Sequence, residues 1–160
     1  MKFHLVDGVL EEEPGRIVVY KHVSAAEEYL AEHFDTYPVL PGVFMLEVMV
    51  QGARRLMASR GGGPWVLGEV RALRFSRFVP AGWSLVASVE IDGESGERFR
   101  GSAYAIDSGG GSLSEWRDAT QAAVGRFTLR PLRLASPPSP DERLDGAVMP
   151  HSGAAPQAGA

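Results

Sequence analysis

Three residues in one short stretch could do chemistry together: His33, Gly42 and Glu47. An imidazole titrates near neutral pH, so a loop histidine at position 33 has the right chemistry for a general base. Pro41-Gly42 reads as a helix start. A proline is tolerated there because its missing N–H would be unpaired anyway. The first N–H groups of a helix have no internal acceptor and carry the positive end of the dipole. Without a Cβ, Gly42 would let an oxygen approach its N–H closely. Glu47 follows in a run of Val43, Phe44, Met45, Leu46, Val48, Met49 and Val50. A carboxyl in that apolar setting is expected to act as a proton donor. Taken singly, each feature has a plainer reading. A loop histidine is more often structural, a buried glutamate can pair with a nearby arginine, and Pro-Gly is ordinary punctuation.

These residues need a scaffold. The segment 11–15 reads as a turn, and 16–23, rich in β-branched and aromatic residues, reads as a strand. Ser24 with Glu27 has capping-box spacing and predicts a short helix over 25–32. Pro38 and Pro41 interrupt any helix before the long one, predicted over 42–59. Its first half is apolar on every face, which predicts burial all round. Gln51, Arg54 and Arg55 turn its second half toward solvent. Strands are predicted over 65–75, 84–92, 98–106 and 123–130, with turns at 79–82 and at Asp92-Gly93 and Ser95-Gly96. The Gly/Ser-rich stretch 108–121 reads as a mobile loop. One buried helix among antiparallel strands implies an α+β architecture, a curved sheet wrapped around a central helix. That domain is expected over 1–134. The remainder, 135–160, is rich in Pro, Ala, Gly and Ser and reads as a disordered tail.

Bulk properties narrow the classes. The chain has 160 residues, 44% hydrophobic and 22% charged, with a formal net charge of −4. That is an ordinary globular composition, and its charge gives no argument for nucleic-acid or membrane binding. With no cysteine, disulfides, thiolate metal sites and a cysteine nucleophile are excluded. The opening residues lack the long apolar run of a secretory signal, and a cytoplasmic protein is expected. No repeat is visible.

The stretch His33-Phe34, Pro38, Pro41-Gly42, Glu47 and Gln51 resembles the signature of the hotdog-fold 3-hydroxyacyl-[acyl-carrier-protein] dehydratases of type II fatty acid synthesis. His4-Leu5-Val6-Asp7 and Arg74-Phe75-Ser76-Arg77-Phe78-Val79-Pro80 are similar to flanking parts of that family. The resemblance implies an antiparallel hotdog fold and dehydration of (3R)-3-hydroxyacyl thioesters to trans-2-enoyl thioesters, a lyase activity. It implies that His33 takes the C2 proton and Glu47 protonates the departing hydroxyl. Gly42 would donate to the thioester carbonyl, the Val39 carbonyl would orient the histidine ring, and Gln51 would position the carboxyl. It further implies a homodimer whose sites each draw on both chains, with trimers of dimers in some members. The partner would be an acyl carrier protein with its phosphopantetheine arm; no metal or organic cofactor is implied. Arg54, Arg55, Arg60, Arg71, Arg74 and Arg77 are candidates to dock that acidic carrier, above all Arg54, Arg55, Arg74 and Arg77.

Two departures stand beside the base. The family carries glycine before the histidine and Pro-Gly after His-Phe, where this chain has Glu32 and Asp35-Thr36. Other readings are a dehydratase/isomerase, which more often has Asp at position 47; a non-catalytic acyl-thioester-binding hotdog, expected to lose His33 or Glu47; and a hotdog thioesterase, which would lack this register.

Overall fold

The computed structural model describes residues 3–133 except 35, 59, 62 and 95. The expected tail at 135–160, the helix end at Ser59 and the departure at Asp35 therefore fall outside the described residues. Six strands and one long helix follow in the order β1 (Gly8–Glu13), β2 (Arg16–His22), α1 (Gly42–Ala58), β3 (Trp65–Phe75), β4 (Ser84–Ile91), β5 (Arg98–Ile106) and β6 (Thr120–Pro131). They form one antiparallel sheet in the order β1-β2-β4-β5-β6-β3, curved around α1. This is the expected α+β hotdog architecture.

Alternation along the strands decides which face meets the helix. Ile17 and Val19 on β2, Leu85, Ala87 and Val89 on β4, and Phe99 and Ala103 on β5 are buried in one core with Met45, Val48, Met49, Ala53 and Leu56 of α1. Small residues let the helix come close. A Cβ on Gly101 would lie 2.6 Å from the Met49 sulfur, and one on Gly52 would lie 3.2 Å from Val19.

Four local expectations are corrected. Residues 11–13 are strand, not turn: β1 runs to Glu13 and the reversal comes at Pro14-Gly15, with Gly15 at φ 94°. Three consecutive glutamates hid an edge strand, where charge is tolerated and blunts unwanted pairing. Between 25 and 32 only a single 3-10 turn forms, Glu28–Leu30. Ser24 Oγ accepts from the Ala26 N–H, but the Glu27 carboxylate goes to the buried Lys21 ammonium, 2.5 Å away, instead of closing a capping box. A buried ammonium left unpaired would be costly, so the ion pair outweighs the cap. The stretch 108–121 is not a featureless loop. It holds the 3-10 segment Leu113–Asp118, started by Ser112, and buries Trp116 against Val18, Val86 and Ile106 on the outer face of the sheet. Finally, α1 is not covered all round: Val43 is 63% exposed, and Phe44, Leu46 and Glu47 are partly exposed.

Candidate active site

The loop carrying His33 is pinned at both ends. His33 donates its N–H to the Leu30 carbonyl at 3.2 Å and accepts from the Val39 N–H at 3.4 Å. Val39 bridges to Pro80, and the Leu40 N–H donates to the Val79 carbonyl at 2.8 Å. The turn before β4 thus holds the loop against the start of α1. The His33 ring lies on Phe34, centroids 4.7 Å apart, and Phe34 sits at φ 69°. For a bulky side chain that backbone conformation is strained, which marks a loop held by its surroundings.

Gly42 is the first residue of α1, so its N–H has no acceptor within the helix. A Cβ there would come within 3.2 Å of the Phe75 ring. His33 and Gly42 line one pocket of about 320 Å³ with Leu40, Met45, Phe75 and Phe78. Ser76 and Arg77 complete its rim. The walls are mostly apolar, and the convergent polar groups are few, as in small-molecule pockets generally. Phe34, Tyr37 and Phe78 are all more than half exposed, and the Phe34 and Phe78 rings meet edge to face at 6.2 Å. Met45, Phe75, Ser76 and Phe78 were not singled out as site residues by type; only the closing of the strand against the helix start brings them in.

Glu47 is elsewhere. At about 100° per residue, five positions place it roughly 140° around the helix from Gly42. It does not line the His33 pocket. Its carboxylate Oε1 accepts from Gln51 Nε2 at 3.0 Å and from Arg54 Nη1 at 3.2 Å. The expectation of wholly apolar surroundings is therefore corrected: an arginine two turns on reaches back to the carboxylate. Oε2 has no partner among the described residues. Gln51 also accepts the Leu5 N–H at 2.9 Å and donates to the Phe3 carbonyl at 3.0 Å, so it ties the N-terminal segment to α1 beside Glu47. Phe44, on the same side, packs edge to face on Tyr29 at 4.8 Å. Burial, reinforced by the charges of Glu27 and Asp7, pushes the Tyr29 hydroxyl far above the ordinary phenol range, so it stays protonated.

The arginines are dispersed. Arg54 is held by Glu47, Arg55 by Glu12 at 3.5 Å and Arg71 by Glu69 at 2.8 Å. Arg77 lies over the Trp83 ring at 5.4 Å on the pocket rim, and Arg74 is on β3 one residue before Phe75. Among the described residues no group of three or more His, Asp or Glu side chains could hold a metal ion, and no helix is long and apolar enough to cross a membrane.

The model of the ApeI-like family, ApeI dehydratase, matches residues 10–110. The chain belongs to that family of hotdog dehydratases. Among curated proteins it is 41% identical over 109 residues to the 3-hydroxyacyl-[acyl-carrier-protein] dehydratase FabZ of Pelotomaculum thermopropionicum, covering 64% of this chain and 77% of that one. The corresponding FabZ of Thermotoga neapolitana is 40% identical over 93 residues, 58% of this chain and 67% of that one. Among solved structures, the dehydratase heterocomplex ApeI:P from Xenorhabdus doucetiae matches with a TM-score of 0.59 at 15% identity, covering 78% of this chain and 95% of that chain. An acyl-CoA hydrolase from Agrobacterium tumefaciens matches at 0.56 and 14% identity, covering 78% and 47%. At such identities the structures establish the shared fold alone, and one fold carries several chemistries.

Proposed function

We propose that this dehydratase-family protein removes water from a (3R)-3-hydroxyacyl thioester carried on an acyl carrier protein, giving the trans-2-enoyl thioester. The observation that carries the reading is the pocket that His33 and the helix-opening Gly42 line together between mostly apolar walls. In the proposed reaction His33 takes the C2 proton. The thioester oxygen, gaining enolate character, is met by the Gly42 N–H at the positive end of α1. The C2–C3 double bond forms as the C3–O bond breaks, and Glu47 acts as the general acid, passing a proton to the departing hydroxyl, which leaves as water. The Val39 carbonyl orients the imidazole. Gln51 is the positioning residue for Glu47.

Because Glu47 lies on the far side of the helix from that pocket, the proposed unit is a homodimer. Glu47 of one copy, with its uncommitted Oε2, would complete the His33 pocket of the other. The exposed Val43 and Phe3 beside the open side of α1 support such a covering partner. The acidic carrier is read as docking at Arg74 and Arg77 near the pocket mouth; Arg54 and Arg55 would contribute from the partner's α1. Fatty acid biosynthesis in the cytoplasm is the proposed setting, on the strength of the FabZ relatives.

The test follows hydration of crotonyl and longer enoyl thioesters on carrier protein, comparing wild type with His33→Ala and Glu47→Gln. Both variants should lose activity while keeping the fold. Wild-type inactivity at every chain length, with retained binding of the thioester, would instead establish an acyl-thioester-binding protein.

A further inference from the structure

The outer face of the sheet carries chemistry that the dehydratase pocket does not use. In register across the strands, Arg16 opposes Glu90, Glu90 opposes Arg100 and Arg100 opposes Arg126. The next row brings Val18, Ser88 and Ser102 together, and the row beyond it Tyr20, Val86 and Tyr104. Their chain neighbours Ile17, Val89, Phe99 and Phe127 are buried under α1, so these rows face away from the helix. The segment Leu113–Asp118 folds over them, and Trp116 stands 5.3 Å from Tyr104. Beside Trp116 a cleft of about 330 Å³ remains open.

Its lining is built for an anion. Arg16, Arg100 and Arg117 converge on it. Two of these are held in place from behind: Glu11 binds Arg16 and lies 2.8 Å from Arg117, and it also accepts the Trp116 indole N–H at 3.2 Å. The Arg117 guanidinium carbon lies over the Trp116 ring, 4.6 Å from its centroid. The Arg100 guanidinium has no hydrogen bond or ion pair among the described residues. It stands directly opposite Arg126, which is itself engaged by Asp92 at 3.3 Å. Like charges opposed across strands are unfavourable unless something neutralises them. Glu90, the one carboxylate in the lining, is 3.8 Å from Arg16. Three guanidiniums thus face Glu11 and Glu90, leaving a positive excess on a chain whose formal net charge is −4.

The hydroxyls point the same way. Ser88, Ser102 and Tyr104 line the cleft, and none makes a side-chain hydrogen bond among the described residues. Ser88 is only 8% exposed. Hydroxyls that open onto a cleft without an internal partner are free to donate to a group bound there.

We infer that this cleft binds a phosphate-type anion, as the end of a small phosphate ester or diphosphate. Forked guanidiniums match the oxygens of a phosphate, and three hydroxyl donors reach oxygens that a carboxylate would lack. The family match ends at residue 110, so Trp116 and Arg117 come from a segment beyond it. The site is independent of the dehydratase reading, since α1 and its pocket lie on the opposite face.

The test uses the full-length isotope-labelled protein and follows the Trp116 indole N–H by NMR. Inorganic phosphate and pyrophosphate are titrated against wild type, Arg100→Ala, Ser88→Ala and, as a control, Arg130→Ala, an exposed arginine on β6 outside the cleft. A parallel arm measures sedimentation with phosphatidylcholine vesicles with and without phosphatidic acid, which separates a soluble phosphate from a lipid headgroup. We expect a saturable Trp116 shift with pyrophosphate in wild type. Arg100→Ala should weaken it about tenfold or more, Ser88→Ala several-fold, and Arg130→Ala less than about twofold. Enoyl hydration should be unchanged in all three variants. If neither the soluble phosphates nor the phosphatidic acid vesicles bind, the inference fails. Equal losses in Arg100→Ala and Arg130→Ala would reduce it to non-specific charge attraction and overturn it as well.

Discussion

At the level of single residues, the proposed site is a reading of residue types at fixed spacing. An imidazole, a helix-opening glycine and a carboxyl five residues later can be read from a string of letters. Their surroundings could not be read as easily. Arg54 sits two turns beyond Glu47, and only its folded side chain reaches back to the carboxylate at 3.2 Å. Phe75 at the end of β3 and Phe78 just beyond it enter the pocket as that strand closes over the start of α1, a long-range event with no local signal. His33→Ala should lower enoyl hydration by about 10³-fold, the usual worth of a positioned base, with an unchanged melting temperature. Gly42→Ala should lower kcat by about 10²-fold, because the methyl group would crowd both the Phe75 ring and the approach to the N–H. A fall in kcat/KM with normal thermal unfolding would distinguish that loss of carbonyl stabilisation from misfolding.

At the scale of elements, the alternation of β4, β5 and β6 and the long apolar helix were readable because two-residue and 3.6-residue periods are local. The misread elements were those decided by distant partners. β1 pairs its glutamates along an edge, Glu27 turns to a buried lysine, and Trp116 converts a Gly/Ser-rich connection into a packed cover. Gly101 gives one prediction at this scale. Its missing side chain makes room for Met49 beneath the sheet. Gly101→Val should destabilise the protein by about 1–3 kcal/mol through overpacking, measured by denaturant unfolding. Glu11 gives another. Burial opposes its ionisation, but hydrogen bonds from Trp116, Arg16 and Arg117 outweigh that and hold its carboxyl below the ordinary value of 4.5. A carboxyl lowered in the folded state stabilises above its unfolded pKa, so this contribution is complete above about pH 4.5 and is lost as pH falls through the lower folded value. Glu11→Gln should therefore cost about 1 kcal/mol near neutral pH, discounted for its partial exposure, and nothing in strong acid.

At the scale of the whole molecule, the proposed site is divided. His33 and Gly42 open to one side of α1 and Glu47 to another, a separation that follows from helix geometry. Mixing unfolded His33→Ala and Glu47→Gln chains and refolding them together should recover about a quarter of wild-type activity, because half the dimers would be hybrids with one intact site each. Recovery of none would place both groups in one chain's site. The Glu11 junction has a consequence of a different kind, in the time course of folding. It joins an edge strand to a segment 105 residues further along the chain. Such a contact is expected to close late, after β2, β4 and β5 have formed the surface on which Trp116 lands. Substitutions at Glu11 should then leave the refolding rate nearly untouched and accelerate unfolding, so the clasp that closes last would govern how long the folded chain persists.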